Sequence, residues 1–151
     1  MLQMVWIFLG SFVGTLGFAV LLHAPRRAWL PSSAIGALGY TLYWGLMRLS
    51  VGEPMALFLG VLVSSVLAQL AARRMRMIAT IFVTLAIIPG VPGLGLYRCM
   101  ALLAQGMSAA GVREGVSAMT NIVMIALALG VGSFLTRRFI KRPETAASHP
   151  K

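Results

Sequence analysis

The sequence predicts an all-α integral membrane protein with five transmembrane helices. Of its 151 residues, 59% are hydrophobic, whereas soluble domains average roughly 45–50% apolar residues. Charge-free apolar runs of about 19 residues recur along the chain, and each is long enough to cross a bilayer as a helix. Most of the 13 Lys and Arg residues stand at the ends of these runs, as topology signals do. We therefore expect contact with the lipid bilayer, one transmembrane domain over residues 1–142, and no bound nucleic acid.

The first predicted helix, residues 5–22, carries Gly10, Gly14 and Gly17 on one face. Small residues at spacings of three and four allow two membrane helices to approach closely. This face is therefore expected to serve helix packing.

The second predicted helix, residues 29–47, carries Gly36 and Gly39, which we also expect to serve helix packing. Aromatic residues are concentrated near its far end, as in the aromatic belt at a membrane surface.

The third predicted helix, residues 54–72, begins at Pro54, a residue that is favoured in the first turn of a helix. The turn before it is bracketed by Arg48 and Glu53, and these opposite charges predict a surface ion pair.

The fourth predicted segment, residues 77–105, is apolar but contains Pro89 and Pro92. Each proline lacks an amide donor and disfavours helical geometry at the residue before it. An unpaired backbone group in hydrocarbon costs free energy, so non-helical backbone persists there only inside protein or beside a wet cavity. We therefore predict a broken transmembrane helix with a site at the break. The alternative is a helix that ends at the membrane surface, with residues 99–112 lying in the interface.

The fifth predicted helix, residues 116–136, follows a predicted loop over residues 105–115. A cluster of basic residues ends this helix. The polar residues 143–151 after it predict a disordered tail.

Five spans place the two termini on opposite sides of the membrane, and the distribution of cations predicts which side is which. With the N-terminus outside, the outer turns hold only Arg48 and Arg113. The inner segments then hold Arg26, Arg27, Arg73, Arg74, Arg76, Arg137, Arg138, Lys141, Arg142 and Lys151. We therefore predict an outer N-terminus and a cytoplasmic C-terminus.

The titratable residues argue against catalysis. The chain has no Asp, and its glutamates, Glu53, Glu114 and Glu144, fall in predicted loops or in the tail. We therefore expect no buried carboxylate and no catalytic residues from this chain. Cys99 is its one cysteine, which excludes an internal disulfide and makes a thiolate metal site implausible. No metal and no cofactor are expected.

The groups that remain within the membrane are suited to binding. A broken helix presents free amides after the break, and Arg98 lies about one turn beyond them. A guanidinium binds a carboxylate bidentately, so a small carboxylate-bearing solute is favoured. Arg98 has an alternative role, in which it snorkels to the outer surface or caps a neighbouring helix. For Asn121 an interhelical hydrogen bond is favoured over contact with the substrate. The candidate substrate-binding residues are Pro89, Gly90, Pro92, Gly93, Tyr97, Arg98 and Asn121.

Over residues 16–142, the sequence resembles the small five-helix subunit of the threonine/serine exporter family, which corresponds to the C-terminal half of the single-chain exporters. The resemblance rests on the order and spacing of three groups of residues. These are Pro25 and Arg26 followed by Gly36, Gly39 and Tyr40; the Pro-Gly-Val-Pro-Gly run at 89–93 followed by Tyr97; and Thr120 with Asn121.

The resemblance implies an exporter in the bacterial inner membrane for small amino acids or related carboxylates. It also implies a larger partner subunit. The odd number of predicted helices agrees with this, because a homologous five-helix half would lie inverted, as in many transporters. The partner would then supply the missing acidic residues, with a higher oligomer as a further option. The alternative functions are a scaffold that stabilises the partner without transporting anything, and, less in keeping with the residues, an enzyme acting on lipid.

Overall fold

The structure is a computed structural model that describes residues 2–139, and these residues form six α-helices and no β-strand. The predicted all-helical fold is confirmed. The predicted tail, residues 143–151, lies outside the described residues. The helices are α1 (Leu2–Leu21), α2 (Arg26–Arg48), α3 (Glu53–Arg74), α4 (Ala79–Ile87), α5 (Gly93–Ala104) and α6 (Ser108–Phe139), with a 3-10 turn at Ile88–Gly90.

Three stretches of helix are long and apolar enough to cross a membrane: Gln3–Leu21, Glu53–Arg74 and Ser108–Arg138. The pair Ala79–Gly90 and Gly93–Ala104 makes a fourth candidate if the two are one bent span. The helix α2 is not among them, because Ser, Gly, Tyr and Trp residues dilute its aliphatic side chains. The number of five spans therefore stays a prediction.

Helices α2 and α3 lie at the centre of the packing. Helix α1 packs on α2, α4 packs on both central helices, and α6 packs along α3, whereas α5 packs on α6. One buried cluster joins α2, α3 and α4 around Phe82 and Ile35. A second joins α3 to α6 through Leu57, Val61 and Ile125.

The central helices touch through glycines. A Cβ added to Gly60 would lie 2.8 Å from the carbonyl oxygen of Gly39, and one added to Gly39 would overlap the Ser64 hydroxyl. A Cβ added to Gly36 would lie 3.2 Å from the carbonyl oxygen of Ala86. A side chain at any of the three positions would push neighbouring helices apart.

The glycine face of α1 has a different environment. A Cβ added to Gly10, Gly14 or Gly17 would meet no described atom within 4 Å. All three residues are exposed, so this face is not packed against any described part of the chain. Its packing role stays a prediction.

Arg48 ties the end of α2 to α1. Its guanidinium donates a hydrogen bond to Oε1 of Gln3 and lies 3.9 Å from the ring centroid of Trp44. Glu53 accepts a hydrogen bond from Asn121 instead. The predicted ion pair between Arg48 and Glu53 is therefore wrong, because each group has a partner on a different helix.

The structure differs from the sequence prediction where α6 begins. The predicted loop over residues 105–115 is short, since α6 starts at Ser108. Gly106 has a φ of 75°, a left-handed conformation that glycine adopts without strain and that reverses the chain in a tight turn. Helices α5 and α6 then run antiparallel as a hairpin.

Small residues hold this hairpin together. A Cβ added to Gly111 would lie 2.8 Å from Cγ of Leu103, and one added to Gly115 would lie 2.9 Å from Sγ of Cys99. We did not predict this use of Gly111 and Gly115, because both were assigned to the loop.

Candidate functional site

A cavity of about 520 Å³ lies where the break between α4 and α5 meets α2, α3 and α6. The backbone of residues 89–92 forms part of its wall, together with Leu94 and Gly95 at the start of α5. Its polar and aromatic lining residues are Tyr40, Tyr43, Glu53, Arg98, Arg113, Glu114, Ser117 and Asn121. Four of these residues, Glu53, Arg98, Arg113 and Glu114, carry a charged group.

The prolines shape the wall of the cavity. Helix α4 ends at Ile87, the 3-10 turn carries Pro89, and Pro92 precedes the first residue of α5. The helical segments on the two sides of this break are bent by 50°. The Gly93 amide donates a hydrogen bond of 2.8 Å to the Val91 carbonyl. The next amides of α5, those of Leu94 and Gly95, have no intrahelical acceptor, and both residues line the cavity.

The break lies close to the beginning of α3. A Cβ added to Gly90 would lie 3.5 Å from Cδ1 of Leu57 and 3.6 Å from Cγ2 of Val61. These two residues are one and two turns into α3, which begins at Glu53, so the break lies roughly 6–12 Å along α3 from its start. The cavity is therefore at the end of the protein that holds the turn between α2 and α3.

Helix α6 contributes a polar stripe to the cavity. Glu114, Ala118 and Asn121 recur at spacings of four and three and so share one helical face. The neighbouring Arg113 and Ser117 lie on the edge of that face and are exposed.

Both signs of charge are present at the cavity. Arg98 on α5 and Arg113 on α6 are exposed cations, Glu53 is exposed at the start of α3, and Glu114 is half-buried. Neither glutamate was among the predicted site residues, and neither is buried. Glu53 is the first residue of α3, and the early start of α6 places Glu114 on a helix rather than in a loop.

Asn121 is the most buried polar residue of this site. Only 6% of it is exposed, and its Nδ2 donates a hydrogen bond of 2.9 Å to Oε1 of Glu53. Its Oδ1 is buried and has no donor among the described residues. Asn121 thus makes the interhelical hydrogen bond that we considered and also lines the cavity.

The other predicted site residues fall into two groups. Pro89, Gly90, Pro92 and Arg98 line the cavity with Asn121, whereas Gly93 and Tyr97 are not among its lining residues. Tyr97 is 69% exposed. On a helix, Tyr97 and Arg98 project about 100° apart, so one can face the cavity while the other faces away.

Six of the polar or aromatic lining residues were not among the predicted site residues: Tyr40, Tyr43, Glu53, Arg113, Glu114 and Ser117. The spacing of three between the two tyrosines, whose ring centroids are 5.5 Å apart, placed them on one helical face. That signal could have identified them. The other four could not be identified in this way, because the sequence alone does not show that α3 and α6 are neighbours.

No three His, Cys, Asp or Glu side chains within residues 2–139 lie close enough to hold a metal ion together. The arrangement instead offers separate donors and acceptors of hydrogen bonds around a space large enough for a small solute. It is therefore suited to binding an organic ion.

A family model described as the threonine/serine exporter ThrE matches residues 7–137 of the chain. The match covers all of the cavity and nearly all of the described helices. No curated protein and no solved structure matches the chain.

Proposed function

Because this chain belongs to the threonine/serine exporter family, we propose that it is the small membrane subunit of a two-component secondary exporter in the bacterial inner membrane. Family membership points to a transporter rather than an enzyme. The solute is a small amino acid such as threonine or serine, or a related carboxylate such as succinate.

One observation carries this proposal. The break between α4 and α5 borders a cavity that contains Arg98, Arg113 and the buried amide of Asn121. A helix N-terminus and two guanidinium groups attract a carboxylate and can bind it with several hydrogen bonds. A transporter needs such a site beside a segment whose backbone is not continuously helical.

The proposed topology has five crossings, with the N-terminus outside and the C-terminus in the cytoplasm. Helix α2 is the second crossing, because α1, α3 and α4 pack around it and shield its polar residues from lipid. The pair α4 and α5 is the fourth, broken crossing. The cations counted above favour this orientation.

The proposed partner is a larger membrane subunit of the same family. Five helices form half of an inverted repeat, and the second half would lie against this one. The exposed glycine face of α1 leaves room for a partner helix. More than one copy of each subunit is allowed by this arrangement.

A second candidate function is a scaffold that stabilises the larger subunit without contacting the solute. The observation that favours it is the same face of Gly10, Gly14 and Gly17, which no described part of the chain covers. In a scaffold this face would matter and the cavity would not.

The proposal is tested by efflux of preloaded threonine, serine and succinate. The cells carry this chain with a larger subunit of the family, or either subunit alone, and the amount of each subunit in the membrane is measured in parallel. The proposal expects efflux only from the pair. If the larger subunit alone gives the same efflux at equal abundance, the exporter proposal for this chain is contradicted. The chain is then either a scaffold or has no role in efflux.

A further inference from the structure

The buried acceptor of Asn121 lacks a donor, and its identity as an acceptor is fixed by Glu53. The amide Nδ2 donates to the Glu53 carboxylate, while Oδ1 is buried without a partner. Rotating the amide by 180° would place Oδ1 against the carboxylate oxygen, and two acceptors repel each other. A buried acceptor without a donor destabilises the structure that holds it. Asn121 lines the cavity, so a solute bound there is the candidate donor for Oδ1.

The surroundings favour a cationic donor. The Glu53 carboxylate lies one hydrogen bond from the Asn121 amide, and both residues line the cavity. An ammonium group has three donors and no acceptor, so it suits a neutral carbonyl oxygen beside a carboxylate. The hydrogen bond it makes to a charged group is stronger than a neutral one.

We propose that Oδ1 of Asn121 and the carboxylate of Glu53 bind the primary ammonium group of a zwitterionic solute. This inference rests on the proposed function, since it names the solute class of the same cavity. Arg98 and Arg113 bind the carboxylate of that solute. A dicarboxylate such as succinate is disfavoured, because its second carboxylate would meet Glu53 and an acceptor rather than a donor.

The test uses proteoliposomes that contain the full chain together with the larger subunit. Counterflow of labelled threonine is competed by unlabelled threonine, by 3-hydroxybutyrate, which is threonine without its amino group, and by succinate. Unlabelled threonine is expected to compete at least about tenfold better than 3-hydroxybutyrate, as expected for a lost hydrogen bond to a charged group.

Two variants locate the subsite. Asn121→Leu has a similar size and no acceptor, and Glu53→Gln keeps an oxygen for Nδ2 of Asn121 but removes the charge. Each is expected to reduce the preference for threonine over 3-hydroxybutyrate by about tenfold. If Asn121→Leu does not reach the membrane, Glu53→Gln decides the test.

Thr120→Ala is the matched control on the neighbouring position of α6. The Thr120 hydroxyl donates a hydrogen bond to the Val116 carbonyl of its own helix, and the residue is not part of the cavity lining. This variant is expected to keep the wild-type preference.

Three results would overturn the inference, and they separate it from the proposed function. If threonine and 3-hydroxybutyrate compete equally while counterflow is intact, the ammonium subsite is contradicted and the exporter proposal is not. If the preference for threonine over 3-hydroxybutyrate disappears when choline replaces Na⁺, then Oδ1 of Asn121 and the Glu53 carboxylate bind Na⁺ rather than the ammonium group. Absence of counterflow and of efflux for every solute tested, with both subunits in the membrane, contradicts the exporter itself.

Discussion

Asn121 and Glu53, which are 68 positions apart, are joined by a hydrogen bond of 2.9 Å from Nδ2 to Oε1. This bond sets α6 beside the first turn of α3, and contacts of Gln69 with Ser133 continue the parallel pairing further along the two helices. Helix α6 extends back from Asn121 to Ser108, roughly 20 Å at 1.5 Å per residue. The hairpin that α6 forms with α5 therefore projects beyond the start of α3.

The register of this hairpin predicts a disulfide. A Cβ added to Gly115 would lie 3.9 Å from the Cβ of Cys99, and disulfides in proteins have a Cβ–Cβ distance of about 3.5–4.5 Å. Gly115→Cys is therefore expected to form an intramolecular disulfide with Cys99 on mild oxidation. The measurement is the number of alkylated thiols by intact mass, which should fall from two to none.

Met119→Cys is the control for this cross-link. Position 119 is one turn further along α6, about 6 Å away, and lines the same groove between α5 and α6 as Cys99 and Gly115. It should keep both thiols under the same conditions. Equal cross-linking of the two variants would mean that α5 and α6 do not pair as described.

The crossing of α2 and α3 predicts a loss of stability when a side chain is added. In Gly39→Ala the new methyl group would meet the carbonyl oxygen of Gly60 at 3.0 Å and displace Ser64. Overpacking of this kind typically costs about 1–3 kcal/mol. We expect a lower thermal unfolding temperature for the purified protein in detergent.

The matched change is Gly10→Ala, because a Cβ at this position meets no described atom within 4 Å. It should leave the unfolding temperature of the isolated chain unchanged or slightly higher, since alanine reduces the entropy of the unfolded chain. A larger loss for Gly10→Ala than for Gly39→Ala would be incompatible with the packing described here.

A bulkier change on α1 tests the partner rather than the fold. Gly10→Leu and Gly14→Leu fill the exposed face and are expected to reduce co-purification of the larger subunit several-fold while leaving this chain in the membrane. The same substitution at Gly52, which lies in the turn before α3 with open space around it, serves as control. If the two variants on α1 co-purify with the larger subunit as well as the Gly52 control does, α1 is not part of the interface.

The break and the cation beside it predict a transport defect without loss of protein. Arg98→Ala removes a guanidinium from the cavity and should weaken solute binding by about tenfold to a hundredfold, the usual worth of hydrogen bonds to a charged group. Pro89→Ala should also lower efflux, because it permits a continuous helix where the wall of the cavity now turns. Both are measured as threonine efflux at equal abundance in the membrane. Normal efflux in both variants would favour the scaffold.

Local signals in the sequence predicted the all-helical fold and most of the helices well, whereas a broken fourth span stays a prediction. Apolar runs, prolines and glycines act within a few residues, so α1, α3 and the turn at Pro89 could be placed without knowing their neighbours. The failure at residues 105–115 has a local cause as well, since Gly111 and Gly115 look like loop residues. Their reason for being glycine is a close contact with α5, and this is visible only in three dimensions.

The charged part of the site was harder to predict, because it depends on which helices are neighbours. Arg98 and Asn121 were identified as polar groups in apolar runs. Glu53 and Glu114 stand at helix starts, where acidic residues are common for local reasons. Only the parallel pairing of α3 with α6 brings Glu53 to Asn121 and turns an ordinary surface carboxylate into a cavity residue.

The most direct test of a solute pathway is protection of the cavity by its solute. In a Cys99→Ala background, Ser117→Cys places a thiol on an exposed lining position, and Thr120→Cys places one on the outer side of the same helix. The rate of alkylation by a small charged maleimide is measured in membranes that hold the pair of subunits. The account predicts that saturating threonine slows alkylation several-fold at position 117 and leaves position 120 unchanged. Equal rates at position 117 with and without threonine, in membranes that transport it, would place the solute elsewhere and contradict the account.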